Sequence, residues 1–227
     1  MSVNTTALVT GGAGGIGSAI CRTLAEAGYR VIVHYHTSES AAIELAAEIG
    51  GVAVPADVSD YAQVKAMFER IGGVDVLINN AGTAHYGLFQ LTTPEERRRI
   101  VDVNLHGAMN CAELALPYML RRHSGSIINI SSIWGVEGAS CEVAYSASKA
   151  ALIGFTKALA KELSPSGITV NCIAPGVVDT KMNARFTREE LAEVGEIIAP
   201  SAVARELMRF VTGELRNVTG KIAVLSH

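Results

Sequence analysis

The amino-acid sequence predicts an α/β fold: a doubly wound parallel sheet of about seven strands, forming a single domain over 227 residues. Three observations predict it. Short apolar runs alternate with longer amphipathic ones along the whole chain. Several of the short runs are apolar at nearly every position, as strands are when helices cover both faces of a sheet. The connections are short, with no linker, internal repeat or low-complexity tract, so parallel strands joined by right-handed helical crossovers are the economical arrangement.

The elements follow in order. Thr6-Ala-Leu-Val-Thr10 is an apolar run, with a strand over 7–10, that enters the glycine turn Gly11-Gly-Ala-Gly-Gly-Ile-Gly17. An amphipathic helix over 18–28 follows and stops at Gly28. Strands are expected at 30–34, 51–55, 74–79, 126–131, 169–173 and 222–225, and helices at 39–49, 61–71, 95–122, 145–163 and 188–212. Ser124-Gly125 and Ser164-Pro-Ser-Gly167 are turns rather than domain boundaries. In sheets of this kind ligands bind beyond the carboxyl ends of the strands, where the strand order reverses. Gly11, Asn80, Ser132 and Pro175 all follow predicted strands on that edge.

Composition narrows the functions. Hydrophobic residues make up 49% of the chain, enough for a large core. The formal net charge is −3 with no basic stripe, which argues against a nucleic-acid partner. The apolar stretch 108–120 is interrupted by Asn110, Glu113 and Pro117, so it is not a membrane helix, and no cleavable leader is evident. Cys21, Cys111, Cys141 and Cys172 form no CxxC pair and no ligand cluster with His. Buried, reduced thiols in a cytoplasmic protein without a metal are the expectation.

Two segments carry chemistry. Strand, glycine turn and helix in succession are what a dinucleotide-binding loop requires: glycines let the backbone approach a pyrophosphate, and the helix N-terminus offers unpaired N–H groups. Two registers fit, Gly12, Gly14 and Gly17 as GxGxxG, or Thr10 with Gly11, Gly15 and Gly17 as TGxxxGxG. Further on, Tyr145 and Lys149 stand four residues apart in Ala144-Tyr-Ser-Ala-Ser-Lys149. On a helix they share a face. A free tyrosine ionises near pH ~10, and a neighbouring cation lowers that value. Ser132, upstream, is placed to hold a substrate oxygen while Tyr145 moves its proton.

Together these stretches resemble the short-chain dehydrogenase/reductase family over nearly the whole chain, with the Rossmann-type fold that this implies. Besides the glycine loop and the Tyr145/Lys149 pair, the matching motifs are Asn79-Asn-Ala-Gly82, Asn104, Asn129-Ile-Ser-Ser132, and Pro175-Gly176 with Thr180. The resemblance implies a catalytic tetrad of Asn104, Ser132, Tyr145 and Lys149. Ser132 would hydrogen-bond the substrate oxygen, Tyr145 act as acid or base, Lys149 hold the nicotinamide ribose, and Asn104 anchor a water leading to solvent. It also implies cofactor contacts from Gly11, Ala13, Gly15, Ile16 and Gly17 in the first turn and from Tyr35, His36 and Thr37 after the second strand. Asp57 and Val58 would meet the adenine, with Asn80, Ala81 and Gly82 beside them. Pro175, Gly176, Val178 and Thr180 would close over the cofactor.

Tyr35 stands where NAD-specific relatives carry an acid, and His36, Thr37 and Ser38 offer hydrogen-bond donors, so NADP(H) is favoured, with NAD(H) the alternative; Gly14, where many NADP-preferring relatives carry Arg or Lys, points the other way. Similarity is greatest to the 3-oxoacyl-(acyl-carrier-protein) reductases, implying a small-molecule or carrier-bound carbonyl substrate. An NAD-dependent dehydrogenase of a small alcohol, sugar or steroid is the second reading, and a non-catalytic dinucleotide sensor or scaffold the third. Pocket positions are expected at His85, Tyr86, Trp134, Glu142 and 182–196. Ala108, Met109, Ala112, Ala115, Leu116, Phe155, Ala158 and Leu159 suggest a surplus of apolar helix surface, which relatives use to assemble as homodimers or homotetramers. Relatives also carry a glycine pair after the last strand, which 221–227 lacks.

Overall fold

The computed structural model describes residues 5–225. Seven parallel strands form one sheet in the order β3-β2-β1-β4-β5-β6-β7, where β1 is Thr6–Val9, β2 Arg30–Tyr35, β3 Val52–Pro55, β4 Val76–Asn79, β5 Gly125–Ile130, β6 Ile168–Pro175 and β7 Ile222–Leu225. Each lies within a few residues of its expected place. Ser226 and His227, part of the unusual terminal segment, lie outside the described residues.

Helices α1 (Gly15–Glu26), α2 (Glu39–Ile49), α3 (Tyr61–Ile71), α4 (Pro94–Val101), α5 (Gly107–Arg122), α6 (Trp134–Glu137), α7 (Val143–Leu163), α8 (Arg188–Val194) and α9 (Pro200–Val211) connect the strands. Alternate strand residues face opposite layers. Ala7, Val9, Val31 and Val33 pack against Ile20 and Leu24 of α1, Leu45 of α2 and Leu207 and Phe210 of α9. Leu8, Ile32, Val54, Leu77 and Ile127 pack against Met67 and Phe68 of α3, Met119 of α5 and Leu163 of α7. Every residue of β1 and β4 is buried, so the sequence there has no alternation to show.

Two expected helices divide. The segment expected as one helix over 95–122 holds a π-helical turn at Asp102–His106 between α4 and α5, and Asn104 sits inside it. The segment expected over 188–212 breaks between α8 and α9, where Gly195 takes φ 158° and Pro200 opens the next helix. The apolar surplus on α5 and α7 is smaller than expected: Ala108, Ala112, Ala115 and Leu159 are buried within the single chain. Met109 and Ala158 are exposed, and Leu116 and Phe155 half-buried.

Polar side chains cross this core in one line. Asn79 Nδ2 donates to the Ala108 carbonyl (3.3 Å) and to Asn129 Oδ1 (2.9 Å), and Asn129 Nδ2 donates to Thr156 Oγ1 (2.9 Å). Helices α5 and α7, in the same layer, are thereby tied to β4 and β5. Buried amides are mostly paired, and here Asn79 Oδ1 alone among the described side-chain atoms is buried without a hydrogen-bond partner.

His34, near the end of β2, is 1% exposed and joins three segments. Its Nδ1 accepts from the Gly11 N–H (3.0 Å), which makes Nε2 the protonated nitrogen, donating to the Ala56 carbonyl at 3.0 Å. Burial pushes its pKa down from 6.5 to about 4, with His36 adding in the same direction and the Ala56 hydrogen bond and Asp57 opposing. A depressed folded pKa means the contribution to stability is full above pH 6.5 and is lost as pH falls toward about 4. One pKa unit is worth ~1.4 kcal/mol. The thermal midpoint of the wild type should therefore drop between pH 6.5 and about 4 more steeply than that of His34→Asn. Parallel melting curves across that window would check this; equal slopes would show that His34 does not carry the effect.

Candidate active site

The carboxyl edge of the sheet opens into a cleft of about 890 Å³, inside the range of small-molecule sites. Its floor is the glycine turn. Gly11 takes φ +62°, a left-handed backbone that other residues rarely adopt. A Cβ at Gly17 would fall 2.2 Å from the Gly11 carbonyl oxygen, so no side chain fits there. Gly17 is common to both registers; Gly11, Gly12 and Gly15 are also crowded, while Gly14, the N-cap of α1, is comparatively open.

A reciprocal clamp fixes this turn to β4. Thr10 Oγ1 accepts from the Asn80 N–H (2.9 Å) and the Ala81 N–H (3.0 Å), while Asn80 Nδ2 donates to the carbonyls of Thr10 and Gly11, both at 3.0 Å. The lining residues include Gly11, Ala13, Gly15, Ile16, Gly17, Tyr35, His36, Thr37, Asp57, Val58, Asn80, Ala81, Gly82, Tyr145, Lys149 and Thr180, all expected there. Pro175, Gly176 and Val178 sit off this cleft. Strand β6 continues through Pro175, whose carbonyl accepts from the Ile133 N–H, and Val178 pairs with Ile198. Gly176 instead lines a neighbouring hollow of about 340 Å³ with Trp134 and Glu137.

At the far end from Tyr35 stand the candidate catalytic groups. Tyr145 and Lys149 are both buried on the first turns of α7. The Lys149 ammonium lies 5.7 Å from the centre of the Tyr145 ring and donates to the Ile130 carbonyl at 2.8 Å. Burial pushes its pKa down to about 8, and nearby Cys172 opposes the shift. Burial pushes Tyr145 up to about 12; the hydrogen bond from Ser132 works the other way, and Glu142 adds to the rise. In the protein alone burial dominates and holds the phenol above its ordinary value, and the Lys149 ammonium is directed to the Ile130 carbonyl. Ser132 is buried at the end of β5, its Oγ accepting from the Trp134 N–H at 3.2 Å.

Asn104 stands behind the cleft. Its Nδ2 donates to the Thr83 carbonyl (3.0 Å) and Ser148 Oγ (2.9 Å), and its Oδ1 accepts from the Thr83 N–H (2.8 Å). A Cβ on Gly82 would lie 3.3 Å from Asn104 Oδ1 and 3.4 Å from Lys149 Nζ, so Gly82 fills the gap between them. The π turn directs Asn104 inward; such single turns inside α-helices recur at functional sites.

At the Tyr35 end, the Tyr35 hydroxyl donates to Glu39 Oε1 (3.1 Å), which brings a carboxylate close to the position where the sequence lacks one. Asp57 does not cap α3, since Asp60 does so by accepting from Ala62 and Gln63. Asp57 instead accepts from Ser59 and pairs with Arg99 at 2.9 Å, and these partners hold its carboxyl at about 2 although burial alone would raise it. Arg185, inside the expected stretch 182–196, also lines the cleft, as does Arg99, which was not singled out in the sequence. Arg99 lies in the run Arg97-Arg98-Arg99, which by composition is an ordinary solvated helix face. Of the expected pocket residues, Met182 lines the cleft, whereas His85 is turned toward Glu96 at 3.4 Å. Cys21, Cys111 and Cys172 are buried, but Cys141 is half-exposed with φ 62°. Among the described residues no helix is long and apolar enough to cross a membrane, and no group of three His, Cys, Asp or Glu is placed to hold a metal ion.

A family model described as short chain dehydrogenase matches residues 5–191. The chain is 39% identical to an uncharacterized oxidoreductase of Bacillus subtilis, covering 96% of this chain and 98% of the relative. It is 38% identical to a 3-oxoacyl-(acyl-carrier-protein) reductase of Staphylococcus aureus, with coverages of 97% and 98%. The crystal structure of a 3-ketoacyl-(acyl-carrier-protein) reductase from Brucella melitensis complexed with NADH superposes with a TM-score of 0.91 at 28% identity, covering 99% of this chain and 98% of that one.

Proposed function

The chain belongs to the short-chain dehydrogenase family, oxidoreductases that work on ketone and alcohol carbons with a nicotinamide dinucleotide, and from that premise we propose that it reduces a 3-oxoacyl thioester to the 3-hydroxy compound with NADPH. The observation that carries the reading is the placement of Tyr145 and Lys149, both buried, at the end of the cleft that begins at the glycine turn. The cofactor supplies the hydride; the protein supplies orientation and protons. The fit is supported by the glycine turn, where no side chain could stand at Gly17, and by its N–H groups at the start of α1.

Ser132 holds the substrate carbonyl oxygen and Tyr145 donates a proton to it. The raised phenol pKa keeps that proton in place at neutral pH, which suits the reducing direction. Lys149, lowered to about 8, is the group whose proton is exchangeable near neutrality, so it restores the tyrosine and binds ribose hydroxyls. The side chain of Asn104 is engaged with Thr83 and Ser148, which leaves its main-chain carbonyl to anchor a water toward solvent. Preference for NADPH is supported by His36, Thr37 and Ser38 along the cleft and by Arg99, which offsets the Asp57 charge. Assembly as a homodimer or homotetramer is supported by exposed Met109 and half-buried Phe155 on α5 and α7.

Three outcomes are expected. Tyr145→Phe should leave NADPH affinity near wild type and lower turnover of a 3-oxoacyl thioester by about 10²–10⁴-fold; retention of a tenth of the rate would remove Tyr145 as the acid. Wild type should bind NADPH more tightly than NADH in a fluorescence titration, with Tyr35→Asp eroding the difference by charge repulsion; tighter NADH binding to the wild type would reverse the cofactor assignment. In sedimentation at micromolar concentration the chain should run as a dimer or tetramer, and Phe155→Glu should lower both mass and activity; a fully active monomer would eliminate the interface.

A further inference from the structure

The segment after β6 crosses the cleft like a strap. At one end Thr180 covers the glycine turn so closely that a Cβ on Gly15 would meet its Cγ2 at 2.7 Å. At the other, Arg185 and Phe186 reach Tyr86 in the loop after β4. The guanidinium carbon of Arg185 lies 5.3 Å from the centre of the Tyr86 ring and 5.4 Å from that of Phe186, and the two rings meet edge to face at 5.2 Å. Aromatic rings hold a guanidinium through their π electrons and leave N–H groups of its planar fork available.

Among the described residues the Arg185 fork meets no acceptor; the same is true of surface arginines such as Arg70 and Arg98, but unlike Arg185 these lie off the cleft. Arg22, Arg99, Arg122, Arg188 and Arg209 each meet a carboxylate within 3.4 Å. Among the described residues Arg185 has neither an ion pair nor a hydrogen bond. It nevertheless lines the cleft that holds Tyr145 and Lys149. Its ring partner fixes its end of the cleft: the Gly87 N–H, next to Tyr86, donates to the Cys141 carbonyl at 2.8 Å, four residues before Tyr145, and burial raises the pKa of the half-buried Glu142 carboxyl while the Arg185 charge works against the rise.

We propose that Arg185 is a substrate-binding residue that receives an oxyanion group, carboxylate or phosphate, carried by the oxo substrate while Tyr145 faces its carbonyl. The inference rests on the reading of Tyr145 as the reacting end. A guanidinium set beside two aromatic rings, with no hydrogen bond of its own among the described residues, suits recognition of such a group. It also discriminates, because a neutral analogue leaves the donors unmatched.

Two matched pairs of ketones test it with NADPH: a 3-oxo carboxylate against its methyl ester, and a 3-oxoacyl phosphopantetheine thioester against the N-acetylcysteamine thioester. The readout is the charged-to-neutral ratio of kcat/KM, since the neutral member reports what the lost ring contacts do by themselves. Arg185→Gln should lower that ratio by about 10- to 100-fold, the worth of hydrogen bonds to a charged group, in one pair, and which pair responds distinguishes carboxylate from phosphate. Unchanged ratios in both pairs overturn the proposal. So does a variant that weakens NADPH binding with the ratios unmoved, because the cation would then serve the cofactor. Equilibrium binding of the same compounds, read from the emission of Trp134, the chain's one tryptophan, is independent of turnover. No turnover of any compound by the wild type, with anion binding still dependent on Arg185, would remove the reductase reading and leave the anion site standing. Loss of that dependence in binding as well as in rate would remove the site.

Discussion

The hydrogen-bonded seam between Thr10 and Asn80 is the constraint on which the site depends. Strands β1 and β4 are neighbours in the sheet, but their following segments leave toward opposite faces, so the chain must part between them. A parting at the end of a parallel sheet would leave N–H and carbonyl groups unpaired on both sides. Here each side satisfies the other: the Thr10 hydroxyl takes the Asn80 and Ala81 N–H groups, and the Asn80 amide takes the Thr10 and Gly11 carbonyls. The turn is thus rigid where it must be narrow, and it stays open above. His34 braces it from the β2 side and Thr180 from above, so a loop rich in glycine is held at three points.

Electrostatics at the other end of the cleft show one environment acting in opposite directions on two groups. Burial disfavours charge, so it raises the phenol and lowers the ammonium. Two values that would overlap near 10 in water are driven apart, to about 12 and about 8. The tyrosine becomes the reluctant acid and the lysine the ready one.

Much of this was legible in the sequence, for identifiable reasons. All seven strands stood out because a parallel sheet covered on both faces needs nearly continuous apolar runs, as in β1 and β4. The residues of the cleft floor were found because a close backbone approach admits only glycine, and Tyr145 with Lys149 because helical spacing alone puts them on one face. The rest depended on contacts between distant segments. The π turn around Asn104 leaves no periodic trace, and its hydrogen bonds reach Thr83 and Ser148. Arg99 looks like a solvated charge until folding sets it against Asp57, and Arg185 was only one of fifteen positions in the expected stretch 182–196 until folding set it against Tyr86. The extent of the apolar surplus on α5 and α7 was not legible, because residues facing the sheet, such as Ala112, and residues facing outward, such as Met109, are chemically alike.

The strand order has a bearing on time as well as space. Strand β1 pairs with β2 and with β4, and the latter contact joins Ala7 to Val76 across three helices and two strands. Contacts so distant in the chain close late, because the entropy of the intervening loop must be overcome first. The cleft floor is complete only with the whole segment from α1 to α3 in place between its two strands. A dinucleotide that binds the finished floor and not its precursors would draw the population toward the native state by mass action. In a chain built this way, the supply of cofactor bears on how much folded enzyme accumulates, and not only on how fast it turns over.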